Sequence, residues 1–209
     1  MEKQKWFLDT LGTEWYLDFW DRRDNIPAGH KKPIVFLSLP GPTPEKIQEL
    51  AQQAPGSVWY IVGEPNRRGA EYSARAIVPQ LHDLYVAIKN ADPTAKITSP
   101  TILNWDFTCI GCGGFQTGRS WVEEFRAEYL RLYTTEPPVD IWAIDIYPLD
   151  WVNRPTVNHQ LAIDQMVGIS SYLDGIPAQR GKPIWILELG LHWGWDGWEW
   201  WLPGCTFNE

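Results

Sequence analysis

The chain alternates between short apolar segments and longer amphipathic segments along most of its length. The short segments are rich in Ile, Val, Trp and Tyr, as buried parallel strands are, and the longer ones repeat apolar residues at helical spacing. Strands are predicted at residues 15–20, 33–39, 58–64, 96–100, 141–147 and 183–189. Helices are predicted at residues 44–54, 72–91, 121–133 and 158–173. Pro79 is expected to bend the second helix or delay its start.

Such alternation is typical of βαβ units, which build either an open doubly wound sheet or a closed barrel. A doubly wound sheet usually carries a Gly-rich phosphate turn, and the chain has no G-x-G-x-x-G. Its unusual polar residues instead follow several different strands, which is how barrels place catalytic groups. We therefore predict one domain over residues 1–209, with α/β class and a (β/α)8 TIM barrel, complete or truncated. One strand is expected before residue 1, and the eighth is absent or reduced to residues 198–201.

The charge balance argues against a nucleic-acid partner. The formal net charge is -8, whereas proteins that bind a phosphate backbone concentrate Lys and Arg. No run of about 18 apolar residues is present, so no membrane partner is expected either. The first residues also lack the apolar core of a signal peptide. A neutral polymer or a small neutral ligand fits this composition better.

Tryptophan is strongly over-represented, with 14 in 209 residues. Roughly half of them are expected in the core, because Trp is large and is used mainly in cores and contact surfaces. The others crowd one segment with little periodicity, namely Trp193, Trp195, Trp198, Trp200 and Trp201. Flat aromatic faces stack well on the C–H faces of sugar rings. We predict that residues 191–202 form a glycan-facing rim and not a buried strand.

The cysteines and histidines do not form a metal-binding pattern. Cys109 and Cys112 make one C-x-x-C, and Cys205 is distant in sequence. A zinc site needs about four ligands, so either a local disulfide or two free thiols is expected, with no metal. The four histidines contain no H-x-H, which disfavours a metal-dependent hydrolase. No cofactor is implied.

Two predicted strands end in a glutamate after an apolar run, at Glu64 and Glu188. A carboxylate at the mouth of a parallel sheet is partly desolvated, which suits a general acid. Two carboxylates that face each other form the reactive pair of glycoside hydrolysis. Pro65, Trp59 and Tyr60 give Glu64 apolar neighbours, which should keep it protonated near neutral pH.

The motifs around these glutamates resemble those of clan A glycoside hydrolases. V-W-Y-I-V-G-E-P-N resembles the fourth-strand motif W-x-x-G-N-E-P-[ND], and I-W-I-L-E-L-G resembles the seventh-strand motif [IV]-W-[IVL]-T-E-[FL]-G. P-P-V-D-I-W-A-I-D-I-Y is similar to the sixth-strand pattern, and A-I-K-N-A-D-P-T-A-K-I to the passage into the fifth strand. The resemblance covers roughly residues 15–190 and is nearest to the alkali-sensitive-linkage-type and family 39-like groups.

This resemblance implies roles for particular residues. Glu64 corresponds to the acid/base and Glu188 to the nucleophile, and Tyr147 corresponds to the tyrosine that orients the nucleophile. Two positions depart from the pattern: Gly63 replaces an Asn that contacts the sugar 2-hydroxyl, and Asp145 replaces a His. A lost donor of this kind costs about 10²–10³ in rate. Supporting donors that would replace it are Asn66 and Asn104.

Further residues at or beyond predicted strand ends are candidates for sugar contact. They are Asp18, Trp20, Asn104, Trp105, His192, Trp193 and Trp195. The predicted function is a retaining glycoside hydrolase that acts on a β-linked, β-glucan-like oligo- or polysaccharide. The alternative is a barrel-derived carbohydrate-binding protein with weak or no hydrolysis. Either function would suit an extracellular location.

Overall fold

The computed structural model describes residues 2–12, 34–37, 39–53, 55–108, 115–150, 159–190 and 192–193. The helices in this part of the chain are α1 (Glu2–Leu11), α2 (Pro44–Gln53), α3 (Ala74–Ala91), α4 (Gly118–Tyr133) and α5 (His159–Asp174). Its strands are β1 (Ile34–Leu37), β2 (Val58–Ile61), β3 (Lys96–Ile97), β4 (Ile102–Leu103), β5 (Trp142–Ile146), β6 (Leu149–Asp150), β7 (Ile184–Leu189) and β8 (His192–Trp193). Two short 3₁₀ turns, Pro65–Arg67 and Ala70–Tyr72, lie between β2 and α3.

The strands form small parallel sheets. The order in the first sheet is β1-β2-β3 and in the second β4-β5-β7. Two isolated parallel bridges, Gly63 to Thr101 and Thr98 to Ile141, connect these sheets. A separate parallel ladder pairs β6 with β8. Because every pairing between the two larger sheets is parallel, the carboxyl ends of their strands lie along one common edge.

The predicted (β/α)8 barrel, complete or truncated, is wrong. Within the described residues β1 pairs only with β2 and β7 only with β5, so the strands form short open sheets of a small mixed α/β domain. A barrel needs a fixed number of tilted strands whose register closes on itself. Alternation of strands and helices along a sequence predicts parallel pairing but says nothing about closure, which is why the predicted architecture was wrong.

Most predicted elements are present, with shorter strands than expected. The strands predicted at 33–39, 58–64, 96–100, 141–147 and 183–189 correspond to β1, β2, β3, β5 and β7. The predicted helices correspond to α2 through α5, and the strand predicted at 15–20 lies outside the described residues. Pro79 does not delay α3, which begins at Ala74; Pro79 is exposed, so its ring faces solvent. Helix α1 and the β6–β8 ladder were not predicted.

The core joins the sheets to the buried faces of α2 through α5 in one cluster of apolar side chains. Four tryptophans are almost completely enclosed in the protein: Trp59, Trp105, Trp121 and Trp142. Large aromatic side chains dominate the burial energy of such a core, at about 25 cal/mol for each Å² of apolar surface removed from water. Part of the high tryptophan content is therefore structural. Trp6 on α1, in contrast, is 60% exposed.

Candidate functional site

The acidic side chains of the candidate site follow β2, β5 and β7. Asp145 on β5 and Glu188 on β7 are register partners on neighbouring strands. Glu64 follows β2, and its backbone N–H donates to the Thr101 carbonyl at 2.7 Å, directly before β4. Since β4 is the other neighbour of β5, the three carboxyl groups lie along the same edge. The prediction that Glu64, Tyr147 and Glu188 share one end of the sheet is confirmed.

The two glutamates act electrostatically on the same neighbouring side chains. Burial first, and then the charges of Glu188 and Glu64, raise the pKa of Asp145 to about 8. Burial also raises the pKa of Tyr60, and the charges of Asp145 and the two glutamates add to that rise. Burial and then its hydrogen bond to Glu188 raise the pKa of Tyr147 to about 12. These five residues therefore form one coupled group, named here the carboxyl cluster.

Tyr147 holds Glu188 in a defined orientation. Its hydroxyl donates to Glu188 Oε2 at 2.8 Å, as the sequence predicted. Asn104 braces the tyrosine backbone, because its Nδ2 donates to the Tyr147 carbonyl at 2.7 Å and its Oδ1 accepts from the Tyr147 N–H at 2.9 Å. A Cβ at Gly190 would lie 2.5 Å from Tyr147 Cε1, so the ring packs directly on the glycine backbone. The backbone and the ring of Tyr147 are both fixed.

Glu64 has a charged neighbour and not the apolar surroundings that were predicted. Arg67 Nε lies 2.9 Å from Glu64 Oε2, with the two side chains 59% and 19% exposed. The 3₁₀ turn Pro65–Arg67, for which Glu64 is the N-cap, brings the two residues together. A guanidinium beside a carboxylate favours the ionised form of that carboxylate. That apolar neighbours keep Glu64 protonated near neutral pH stays a prediction, and it did not take the neighbouring Arg67 into account.

The backbone at this edge is strained. Val62, Glu64 and Asn104 have φ values of 65°, 49° and 54°, a region that residues with a side chain rarely adopt. Each such residue costs about 1–3 kcal/mol, and the β-branched Val62 is the least suited to it. Hydrogen bonds hold the segment, since Thr101 donates its N–H to the Val62 carbonyl at 3.1 Å and accepts from Glu64. Strain of this kind is concentrated at functional sites in proteins.

Asp145 lies behind the glutamates. It is 1% exposed, and neither of its carboxylate oxygens makes a hydrogen bond within the described residues. An ionised carboxylate in that position would be costly, which agrees with a pKa raised to about 8. The group is therefore mostly protonated at neutral pH. Asp145 does not reach the surface, so the supporting role predicted for it can only be an electrostatic effect on Glu64 and Glu188.

Three residues predicted to contact or support a substrate are enclosed in the protein. Asn66, Asn104 and Trp105 are 3%, 1% and 0% exposed. Asn66 donates through Nδ2 to two backbone carbonyls and accepts a backbone N–H at Oδ1, so its amide is fully used. Trp105 packs against α5, where a Cβ at Gly168 would lie 2.4 Å from its indole Cδ1. The burial of these side chains does not agree with the prediction that they face a sugar. The residue type alone could not decide this, because amides and indoles also form structural contacts in the core.

Tyr60 and Arg67 belong to the site but were missed. A Cβ at Gly63 would lie 2.7 Å from the Tyr60 hydroxyl, so the Asn of the clan motif does not fit here without displacing that ring. The replacement at Gly63 therefore has a structural reason. Usable signals were present, because Tyr60 and Glu64 are an even number of residues apart on one strand, and Arg67 follows Glu64 by three residues.

Several predicted residues lie outside the described residues, namely Asp18, Trp20, Trp195, Cys109, Cys112 and Cys205. Within the aromatic segment 191–202 the structure describes residues 192–193, which form β8. The predicted loop is therefore replaced by a short strand at His192 and Trp193, whose backbones are register partners of Leu149 and Asp150 on β6. The remainder of the segment also lies outside the described residues.

Two other kinds of feature are absent from the part of the chain that the structure describes. No group of three His, Cys, Asp or Glu side chains is arranged there to hold a metal ion. None of the helices described is both long and apolar enough to cross a membrane. The ionisable groups at the sheet edge are those of the carboxyl cluster: Glu188 oriented by Tyr147, Glu64 paired with Arg67, and the buried Asp145 with its raised pKa.

The resemblance to clan A glycoside hydrolases rests on the motifs at residues 58–66, 87–97, 137–147 and 184–190. Comparison with known proteins finds no relative that would support this resemblance. No protein-family model matches the chain, and neither does any curated protein or any solved structure.

Proposed function

We propose that this chain is a retaining glycoside hydrolase that cleaves a β-linked, β-glucan-like glycan, with Glu188 as nucleophile and Glu64 as general acid/base. The observation that carries the proposal is the carboxyl cluster, in which both glutamates follow parallel strands and act on the buried Asp145. Retaining hydrolysis uses such a pair: one carboxylate attacks the anomeric carbon and the other protonates the leaving oxygen. The order of the motifs along the chain supports the same assignment.

Glu188 has the properties that a nucleophile needs. A neutral hydroxyl, that of Tyr147, donates to Oε2 and holds the carboxyl group in one orientation without adding a positive charge. Oε1 then attacks the anomeric carbon and forms the covalent glycosyl-enzyme intermediate, which water later hydrolyses. The brace from Asn104 to Tyr147 keeps this orientation at little entropic cost during the reaction.

Glu64 must gain a proton before it can act as the acid. In the free protein its ion pair with Arg67 favours the ionised form. A bound sugar excludes water and lowers the local dielectric constant, which increases the repulsion between nearby carboxylates. The order of the motifs along the chain assigns this proton to Glu64, the residue that corresponds to the acid/base. The acid is thus generated when substrate binds.

A carbohydrate-binding protein with weak or no hydrolysis is the second candidate. Gly63 and Asp145 depart from the clan pattern, and both departures are integrated into the packing through Tyr60 and through burial. Loss of the Asn that contacts the 2-hydroxyl reduces transition-state stabilisation more than ground-state binding. This combination favours a protein that still binds glycan but turns it over slowly.

The two candidates are separated by an assay of aryl β-glycosides and β-glucans beside a binding test on the same polymers. The hydrolase predicts product whose newly formed anomeric centre is β in a one-dimensional NMR time course. The double variant Glu64→Gln/Glu188→Gln should lose this activity, while Glu49→Gln, an exposed glutamate on α2, should keep it. Binding without any hydrolysis by the unmodified protein would exclude the hydrolase and leave the binding protein.

A further inference from the structure

A cleft of about 240 Å³ opens directly beside Glu64 and continues along the two 3₁₀ turns. Its walls include Arg67, Arg68, Gly69, Ser73, Phe115 and Gln116. The cleft is contiguous with the carboxyl cluster, because Arg67 is both a wall residue and the ion-pair partner of Glu64. A ligand in this cleft would therefore lie next to the group proposed to protonate the leaving oxygen.

Two arginines, Arg67 and Arg68, line the cleft in a chain of formal net charge -8, and the carboxylate of Glu71 packs against the wall residue Gly69. Arg67 Nε lies 2.9 Å from Glu64 Oε2, and Arg67 pairs with no other carboxylate among the described residues. The guanidinium carbon of Arg68 lies 4.5 Å from the centre of the Tyr72 ring, and Arg68 likewise makes no ion pair with the residues described. Stacking on Tyr72 restricts the guanidinium of Arg68 while leaving its N–H donors unused by carboxylates.

Free guanidinium donors beside a cleft match one kind of ligand group in particular. A guanidinium presents paired N–H donors that fit the two oxygens of a carboxylate, and such charge-assisted pairs are roughly twice as strong as neutral hydrogen bonds. A neutral sugar would be bound adequately by amides, hydroxyls and aromatic faces. The net charge of -8 makes a general surface preference for anions implausible, so a preference here has to come from these two side chains.

We infer that this cleft is a subsite for a carboxylated sugar, a uronic acid unit that lies next to the scissile bond and is held by Arg67 and Arg68. That this sugar unit lies next to the scissile bond rests on the proposed function. That the bound group is a carboxylate does not, because it follows from the two arginines. The sugar carboxylate shares Arg67 with Glu64 and weakens the hold of Arg67 on it. Binding of the correct substrate is thereby coupled to the uptake of a proton by Glu64, and the hydronium ion or buffer acid of the bulk solvent supplies that proton.

The experiment compares two trisaccharides that differ only in their charge, cellotriose and the β-1,4-linked glucuronic acid trimer, by calorimetric titration of the full chain. The unmodified protein should bind the uronate at least about tenfold more tightly, since one charge-assisted pair accounts for such a factor. Arg68→Gln should remove most of this preference, so that the affinities for the two trisaccharides become similar. Arg68→Lys should keep only part of it, because it keeps the charge and loses the paired donors. Arg180→Gln, an exposed arginine beyond α5, is the matched control.

Equal affinity for the two trisaccharides, or no binding of either, would overturn the inference. The same conclusion follows if Arg180→Gln reduces the preference as much as Arg68→Gln does, or if a sulfated trisaccharide binds more tightly than the uronate. The test also separates this inference from the proposed function. Uronate preference without hydrolysis refutes the catalytic proposal alone, whereas hydrolysis of neutral glycans without uronate preference refutes the subsite alone.

Discussion

The ends of β2 and β7 present the same side chain in two different environments. Glu188 at the end of β7 receives a hydrogen bond from a neutral hydroxyl that is itself braced from both sides. Glu64 after β2 lies on a strained turn and pairs with a half-exposed arginine. The first environment holds the carboxyl group in one orientation. In the second environment the carboxyl group is held by its ion pair with Arg67, and solvent or a ligand can compete for that pair.

This difference indicates that the surroundings of each glutamate, and not the motif alone, determine which catalytic role the side chain can have. A nucleophile benefits from a permanent, oriented charge, whereas an acid/base must change its protonation state during the cycle. A rigid neutral donor suits the first task, and an exposed ion pair, which contributes little to stability, suits the second.

The largest expected effect separates the two glutamates by substrate. Glu188→Ala should lower turnover of every glycoside by about 10⁴-fold or more, as removal of a nucleophile does. Glu64→Ala should lower turnover of unactivated glycans strongly but spare aryl glycosides with good leaving groups, because those leave without a proton. Steady-state assays on both substrate classes measure this. Equal losses on both classes in Glu64→Ala would refute its role as the acid.

The next effect concerns the third carboxyl group. Asp145 has an ordinary value of 3.8 and a pKa of about 8 in the folded protein, so between these values the folded state keeps a proton that the unfolded chain has released. Stability therefore falls as pH rises through this window, by about 1.4 kcal/mol per pH unit from this group, and the loss is complete above the folded value. Asp145→Asn should remove this pH dependence. The free energy of unfolding of the variant should therefore rise relative to that of the unmodified protein as pH rises.

Urea unfolding at about pH 5 and about pH 8 checks this prediction. Asp83→Asn, an exposed aspartate on α3, is the matched control and should follow the unmodified protein at both values. A constant difference between Asp145→Asn and the unmodified protein across the window would contradict a protonated Asp145.

A smaller effect is expected at the brace of Glu188. Tyr147→Phe removes the hydroxyl that holds Oε2 and should lower kcat by about 10²-fold, the usual effect of losing one oriented donor in an active site. Thermal stability should change little, since the ring still packs on Gly190. Asn104→Ala should lower both kcat and stability, because it leaves two backbone groups of Tyr147 unpaired. A fall in stability alone would show that the brace does not serve catalysis.

The smallest effect is expected at Arg67. Arg67→Gln removes the cation that favours ionised Glu64, and should raise turnover of neutral, unactivated glycans by about 1.5- to fivefold, in keeping with the small free energies of exposed ion pairs. Activated aryl glycosides should respond less. Added salt should produce the same change in the unmodified protein, because salt screens the pair. A decrease in turnover would indicate that Arg67 is needed to position Glu64.

The local parts of this site could be predicted from the sequence, and the long-range parts could not. Strand ends at Glu64 and Glu188 follow from apolar runs, and the hydrogen bond from Tyr147 follows from the period-two alternation with Asp145. The burial of Trp105 and Asn66 depends on how α5 and the segment after β4 pack. That packing is tertiary information, which no local pattern contains. The closure of a barrel is likewise a property of all strands together.

Azide rescue tests the central claim most directly, because it assigns the two glutamates their roles in one experiment. We expect azide to restore turnover of an activated aryl β-glycoside by Glu64→Ala with a β-glycosyl azide product, because the nucleophile Glu188 remains. For Glu188→Ala we expect an α-glycosyl azide, because azide then attacks in place of the missing carboxylate. NMR of the isolated azides distinguishes the anomers. Exchanged anomers, or no azide product from either variant, would contradict the assignment of Glu64 and Glu188.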